Sequence, residues 1–567
     1  MQLTDNAIKL LEERYLLRDD SSKIIETPEQ LFRRVASAIA KAEILYGPDS
    51  DIKELENKFY EIMTNLEFLP NSPTLMNAGT LLGQLSACFV LPIEDSLESI
   101  YSTLKNAALI HQTAGGTGFS FSELRPKDEL IASTKGRSSG PVSFIEIFNK
   151  STEIMKLGGK RRGANNATLR IDHPDIEEFI TAKLKGGFKN FNFSIAVTDK
   201  FIDAVLNKKK FDLINNKGKT AKTLKAVDLF NLICDCAWKC GDPCMLFIDE
   251  INRKNPLASL GKLETTNPCG ELPLYPYESC NLGSINLSKF VKANDIDLDR
   301  LSHVINLAVH FLDNVIDVNK YLLPKIERAT KANRKIGLGI TGFADALVKL
   351  GIPYNSSNAI KLAGTLMEFI SDEARKASVA LGEKRGSFPN FGKSIWKAKY
   401  KCMRNATVTT IPPTGSISIM ADCSSSIEPI FSLVFYRRIL GGKEFMEINK
   451  LLVEELKKQG VYSKQLINKI SKTGTLAEIK GLSSDLKKIF VTAHEIKPEW
   501  HIKMQAAFQK HVDNAISKTI NLPNKAKVSD IKNAILLAHK LKCKGITVYR
   551  DKSKKGQVLN IGKCIVC

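Results

Sequence analysis

The chain has no apolar run of the roughly 18 residues that a membrane-spanning helix requires. Its first residues, M-Q-L-T-D-N-A-I-K-L-L-E-E-R, are polar and helix-like, with no apolar signal core. The two absences together predict a cytoplasmic protein. There is also no basic tail, no groove of basic residues interleaved with aromatics, and no lysine run denser than Lys208 to Lys210. The net charge of +21 therefore reads as a solvated Lys-rich surface, with phosphorylated small molecules still compatible as ligands. Zinc spacing is missing too: one C-x-x-C, Cys564 and Cys567, stands without a second pair to complete four ligands. No protein-bound metal site is expected.

What is present is 567 residues, 43% hydrophobic and 25% charged, enough for one large core or several ordinary ones in a globular protein. Twelve cysteines in such a chain point to thiols, redox pairs or ligands rather than a disulfide framework. The terminal dithiol after K-K-G-Q-V-L-N-I-G-K suits a thiol–disulfide shuttle on a flexible tail. Cys234, Cys236, Cys240 and Cys244 have no familiar metal spacing and read as buried small hydrophobes.

The richest stretch is T-N-P-C-G-E-L-P-L-Y-P-Y-E-S-C-N-L-G-S-I-N-L, Thr266 to Leu287. Asn267, Cys269 and Glu271 stand at alternate positions, which an extended segment would aim at one face. An amide, a thiol and a carboxylate would then address one ligand, with a second thiol, Cys280, beyond a Pro-rich turn. Alone, the pattern fits a strand with a buried structural cysteine better than a site.

Residues 1–65 read as helices, with Thr27, Pro28 and Gln30 forming a capping box. Leu69 to Thr80 reads as a loop whose Ser72 and Thr74 are candidate phosphate ligands. Cys88 lies in a short apolar strand ended by Pro92. Asp95 is expected to start a helix with Leu97, Ile100, Leu104 and Ala108 as its apolar stripe, and a second helix is expected from Pro141 to about Lys156. Two such helices suit packing either against a second copy or against their own domain. Between and after them lie H-Q-T-A-G-G-T-G-F-S and L-G-G-K-R-R-G-A-N, whose glycines and basic residues suit a nucleotide-phosphate loop or a basic surface turn. The glycines Gly337, Gly339 and Gly342 lack both the preceding strand pattern and the acidic residue of a dinucleotide fold, and are rejected as a cofactor box. V-T-T-I-P-P-T-G-S-I-S-I-M, from Val408, is a stronger anion-site candidate, with Thr414, Gly415, Ser416 and Ser418 at a possible helix start. The Lys-rich region from about Phe445 to His494 reads as surface.

In order and number, the segments G-G-T-G-F-S-F-S-E-L-R-P, S-S-G-P-V-S-F, G-G-K-R-R-G-A-N, N-P-C-G-E, E-S-C-N-L-G-S-I-N-L, P-P-T-G-S-I-S and K-G-I-T-V-Y-R-D resemble the catalytic chain of ribonucleotide reductases of the adenosylcobalamin-dependent class II type. The resemblance covers nearly the whole chain. It implies an α/β fold: a ten-stranded α/β barrel with a central finger loop, an N-terminal helical region at 1–65, a barrel domain at 66–544 with effector-site helices at about 95–157, and a flexible redox tail at 545–567. It implies a cobalamin-started thiyl radical on Cys269, with Glu271 as base, Asn267 as sugar ligand, and Cys88 with Cys280 as the reducing thiol pair. Cys564 and Cys567 would reload that pair. Ser72, Thr74, Ala87, Thr414, Gly415, Ser416, Ile417 and Ser418 would bind substrate, while Asp95 and Arg161 would bind a deoxynucleoside triphosphate effector at a homodimer interface. A thioredoxin-like protein would be the reductant and a ribonucleotide, expected as the diphosphate, the substrate. Tyr549 followed by Arg550 leaves the tandem-tyrosine relay of class I enzymes incomplete, R-x-x-G-Y of the glycyl-radical class is absent, and no ATP-cone pattern precedes the helices. The alternatives are a class I large chain needing a metal-containing partner, and a nucleotide-binding regulatory protein with structural thiols.

Overall fold

A computed structural model of the chain describes residues 1–47, 51–155, 163–438, 444–553 and 559–560. The chain opens with helices α1 (Asp5–Arg14), α2 (Pro28–Ala40) and α3 (Ile52–Thr64). The expected capping box is present: the Thr27 hydroxyl accepts from Gln30 N, and the Gln30 side chain accepts from Thr27 N. A short helix, α4 (Ser72–Asn77), replaces the loop expected at 69–80. The Asn71 side chain accepts from Thr74 N and Pro73 occupies the first turn, so the segment is locally a helix start.

Ten strands form one sheet: β1 (Phe68–Pro70), β2 (Cys88–Leu91), β3 (Gly116–Ser120), β4 (Asn165–Arg170), β5 (Phe191–Val197), β6 (Cys244–Phe247), β7 (Ser279–Asn286), β8 (Ile336–Thr341), β9 (Thr519–Leu522) and β10 (Gly545–Arg550). Strands β2 to β6 run parallel to one another. Strand β8 is parallel to β7, and β9 to β10. Parallel bridges from Leu338 to Thr409 and from Ile411 to Ile516 carry the second half round from β8 towards β9. The two parallel halves meet antiparallel at β2–β7 and at β6–β10, which closes an α/β barrel, with β1 added antiparallel on β7. Strand β10 belongs to this wall, so Gly545–Arg550, assigned to the tail from sequence, are part of the barrel.

Alternation along each strand separates two environments. Phe89, Phe119, Ala167, Phe193 and Phe247 point outward into a core shared with the covering helices. The inward side holds a smaller apolar cluster of Ala87, Cys88, Val90, Leu272, Leu274, Cys280 and Leu282. The predicted surface region after 445 carries helices 450–458, 464–473 and 484–489, which bury Leu452, Leu456, Ile470 and Leu486 in a core shared with Ala344, Ile430 and Leu433.

Candidate active site

The segment Thr266–Pro273 enters the barrel as a hairpin, its ends paired in an antiparallel bridge. The expected extended run with three side chains on one face is not what forms. Pro268 and Cys269 lie in a turn closed by Gly270 N donating to Asn267 O (3.1 Å), and Gly270 adopts a φ of +84°. The Asn267 side chain locks the turn by accepting from Leu272 N at 3.0 Å. Asn267 and Glu271 are thereby buried while Cys269 is exposed at the tip.

The loop is tied to both half-barrels. Thr168 shares a 2.7 Å hydrogen bond with Thr265, and Asn192 Nδ2 donates to Pro268 O at 2.7 Å. From the opposite wall, Thr410 Oγ1 and Ala515 N both donate to Glu271 O at 2.9 Å. Passage of the loop requires Gly118 on β3, since a Cβ there would lie 1.9 Å from Thr266 O.

Cys88 on β2 and Cys280 on β7 are direct partners across the antiparallel seam of the two half-barrels. Opposed residues in such a ladder have Cα atoms about 4.5–5.5 Å apart, inside the range a disulfide bridges. Asn267 Nδ2 donates to Cys88 Sγ at 3.0 Å, joining the finger loop to this pair. Burial pushes the Cys88 thiol well above the ordinary thiol range, and the Glu271 carboxylate and the thiols of Cys269 and Cys280 push it the same way. Burial also raises Cys280, against the opposing pull of Lys335. Both groups are thus protonated thiols at neutral pH, able to give up protons as well as electrons. None of the ten cysteines among the described residues is in a disulfide.

A cavity of about 270 Å³ opens beside the loop. It is lined by Asn267, Cys269, Glu271 and Cys88, and by Ser72, Ala87, Thr414, Gly415, Ser416 and Ile417 of the predicted substrate residues. Thr414 holds a left-handed φ of +55°, unusual for a β-branched residue and costing about 1–3 kcal/mol. Its hydroxyl is fixed by Ser426 N at 2.7 Å and Thr341 Oγ1 at 3.1 Å. The helix that follows, Ile417–Met420, has four residues, so the anion site expected at a helix start has little helix behind it. Two predicted ligands lie off the cavity lining: buried Thr74 donates to Leu85 O at 3.1 Å, and buried Ser418 bonds Ser425 at 2.8 Å. Cys280 stands behind Cys88 and does not line it.

Sequence reasoning missed Arg14 and Tyr15 of the N-terminal helices, and Asn71 and Ser284. At 14 and 15 the only signal was an Arg-Tyr pair ending an amphipathic helix. Buried Arg14 Nε, Asn71 Nδ2 and Ser284 Oγ have no hydrogen-bond partner among the described residues, each unmade bond costing about 1–3 kcal/mol.

The effector prediction is only partly in view. Helix α5 (Leu97–Gln112) starts one residue later than expected, because the Ser96 hydroxyl accepts from Ser99 N as its cap. Asp95 is free of capping and accepts instead from Arg125 Nε at 2.8 Å. The buried stripe of α5 is Ile100, Thr103, Ala107 and Ile110, with Leu97 and Tyr101 exposed. Helix α6 spans Gly140–Ile154. Arg161, Cys564 and Cys567 lie outside the described residues. Of the Cys234–Cys244 group, Cys234 and Cys236 are buried in helix packing, and Cys244 Sγ accepts from Thr547. No cluster of three metal-ligating side chains occurs among the described residues.

A barrel threaded by a thiol-tipped loop, backed by a cross-strand thiol pair and opening on a polar cavity, sets the chain in the class of α/β barrels with thiols at their centre. Comparison with known proteins gives the family. Residues 1–83 match the ribonucleotide reductase all-alpha domain, and residues 86–402 and 396–549 match the ribonucleotide reductase barrel domain. The chain belongs to the ribonucleotide reductase large-chain family. It is 51% identical, over 99% of its length and 81% of the relative's, to a vitamin B12-dependent ribonucleoside-diphosphate reductase of Thermoplasma acidophilum. A protein of the same description from Mycobacterium tuberculosis is 46% identical over the same shares. The class Id ribonucleotide reductase alpha subunit of Actinobacillus ureae has the same fold, with a TM-score of 0.80 over 97% of both chains at 23% identity.

Proposed function

We propose that this chain is an adenosylcobalamin-dependent ribonucleoside-diphosphate reductase. The observation that carries the reading is the convergence of Cys269, Asn267, Glu271 and Cys88 on one cavity, with Cys280 directly opposite Cys88 across the seam. The Cys269 tip is exposed and a Cβ on Gly270 would meet nothing within 4 Å, so the thiol is open to a radical source from outside the protein. Adenosylcobalamin, when bound, supplies a radical by cleavage of its cobalt–carbon bond.

In this reading the Cys269 thiyl takes the hydrogen from C3′ of the ribose, and Glu271 accepts the 3′-hydroxyl proton while Asn267 holds the sugar. The 2′-hydroxyl leaves as water with a proton from the thiol pair. Two electrons come from Cys88 and Cys280, which end as a disulfide, and Cys269 returns its hydrogen to C3′. Cys88 faces the substrate and Cys280 backs it. Raised thiol affinities suit this role, because each sulfur still carries its proton at neutral pH. The closed barrel keeps the oxidised pair from external reductants, which is the reason for a dithiol at Cys564 and Cys567, recharged by a thioredoxin-like protein.

The reading extends to a deoxynucleoside triphosphate effector at Asp95 and Arg161 and to a homodimer through α5 and α6. Exposed Leu97, Tyr101 and Ile154 support that contact. Arg550, where class I chains have the second tyrosine of the radical relay, stacks over Trp238 at 4.0 Å and favours the cobalamin reading over a metal-partner one.

The test is reduction of a ribonucleoside diphosphate by purified chain with adenosylcobalamin and dithiothreitol alone. An absolute requirement for a second protein would sink the class II assignment.

A further inference from the structure

The cavity's polar lining divides into two groups. One is the set of thiols, amide and carboxylate just described. The other is built across the junction between the N-terminal helices and the barrel. Arg14, the last residue of α1, donates to Ser416 Oγ at 3.3 Å, and the Tyr15 hydroxyl bonds Ser72 Oγ at 2.8 Å. Helix α1 packs directly on the turn 417–420, so these contacts are held by the fold and not by a free side chain. Tyr15 is 2% exposed.

Among the described residues, Arg14 is the one cationic side chain lining the cavity, and Glu271 the one carboxylate. Other arginines of the N-terminal helices are neutralised: Arg33 by Glu56 and Arg34 by Glu26. Arg14 has no carboxylate partner among the described residues, only the neutral Ser416 hydroxyl, and its Nε is buried without an acceptor. Asn71 Nδ2 and Ser284 Oγ, on residues 8% and 1% exposed, are likewise unpartnered in the same lining. Two donors and a hydroxyl left unmade around one uncompensated cation describe a place for an anion rich in acceptor oxygens.

We propose that Arg14 and Tyr15 form a clamp for the substrate's phosphate end: Arg14 supplies the charge that selects phosphorylated ribonucleosides, and Tyr15 positions Ser72 beside it. The clamp rests on the ribonucleotide reading above and deepens it. It makes the N-terminal helical unit part of the substrate site rather than only a covering layer. Arg14 is a specificity residue and Tyr15 a positioning residue; neither touches the reacting carbon atoms.

The experiment uses the full chain with adenosylcobalamin and dithiothreitol, comparing ADP, AMP and adenosine as substrates for the unsubstituted protein, Arg14→Gln, Arg14→Lys and Tyr15→Phe. A charge-assisted hydrogen bond of ordinary strength corresponds to about 10- to 100-fold in KM. The expected result is a rise of that order in KM for ADP with Arg14→Gln, little change for adenosine, substantial recovery with Arg14→Lys and a smaller rise with Tyr15→Phe. An unchanged ADP-to-adenosine preference in Arg14→Gln, with the unsubstituted enzyme active, overturns the clamp and leaves the ribonucleotide reading standing. A loss confined to kcat overturns it as well. If the unsubstituted chain reduces no ribonucleotide, that reading fails, and equilibrium dialysis of ADP against adenosine still decides the clamp: it stands only if Arg14→Gln weakens ADP alone. Should Arg14→Gln fail to fold, Arg14→Lys and Tyr15→Phe carry the same comparison.

Discussion

At the junction of the N-terminal helices with the barrel, Asp313 is fully buried and accepts from Arg334, Arg404, Arg385 and Asn405. Arg334 also pairs with Asp317 at 2.8 Å, and Glu43 receives His310, Asn314 and Arg385. In the cavity, among the described residues, Arg14 has one neutral partner, and Asn71 Nδ2 and Ser284 Oγ have none. Both regions bury polar groups, yet one pairs its charges internally and the other gives Arg14 only a neutral hydroxyl among the described residues. Burial would raise the Asp313 carboxyl, but Arg334, Arg404 and Arg385 override it and hold it below the ordinary carboxylate range. Completed polar burial is architecture here, and the underpaired groups Arg14, Asn71 and Ser284 are set apart by lining the cavity as well.

The contrast can be broken from either side. The largest effect is expected from Cys269→Ala, which should abolish turnover while nucleotide binding, measured by equilibrium dialysis, stays nearly intact; measurable multiple turnover would remove Cys269 from the radical role. Gly118→Ala should come next. Its Cβ would press on Thr266 O, and a displacement of the finger loop of about 1 Å is enough for a roughly 100-fold loss in kcat. Steady-state kinetics beside a thermal melt separates this from unfolding.

The paired region should respond in stability instead. Asp313→Ala strands three arginines and is expected to cost about 3–5 kcal/mol in denaturant unfolding, with KM near that of the parent where the variant remains folded. The smallest effect concerns acid. Burial pushes the Glu43 carboxyl up, but the hydrogen bonds of His310, Asn314 and Arg385 win and bring it down to about 2. A depressed carboxylate stabilises above its unfolded value, near 4.5, and that contribution fades as pH falls from there towards 2. Melting curves of the parent and Glu43→Gln should therefore converge over that window.

Much of the local structure was legible because local chemistry decides it: the capping box at Thr27 and the strand at Cys88 both hold, and Gly337 and Gly339 lie within strand β8. There a Cβ on Gly339 would meet Pro412 Cδ at 2.5 Å. The finger loop was harder, since alternation suggested an extended run and the turn depends on Asn267 reaching back to Leu272. The facing of Cys88 and Cys280 comes from strand order, which no spacing reveals, and only the resemblance anticipated it. Arg14 and Tyr15 were invisible for a related reason: their meaning depends on α1 lying against a turn some 400 residues later, with Arg14 and Ser416 separated by 402 positions.

The central claim is that the reducing pair is Cys88 with Cys280 and that Cys269 stays out of the disulfide. It is tested most directly by one turnover of the prereduced Cys564→Ser, Cys567→Ser protein with adenosylcobalamin and a ribonucleoside diphosphate, without added reductant. The expected result is about one deoxynucleotide per chain, with peptide mapping finding the Cys88 and Cys280 peptides joined. Continued turnover, or a product-linked disulfide that includes Cys269, would contradict it.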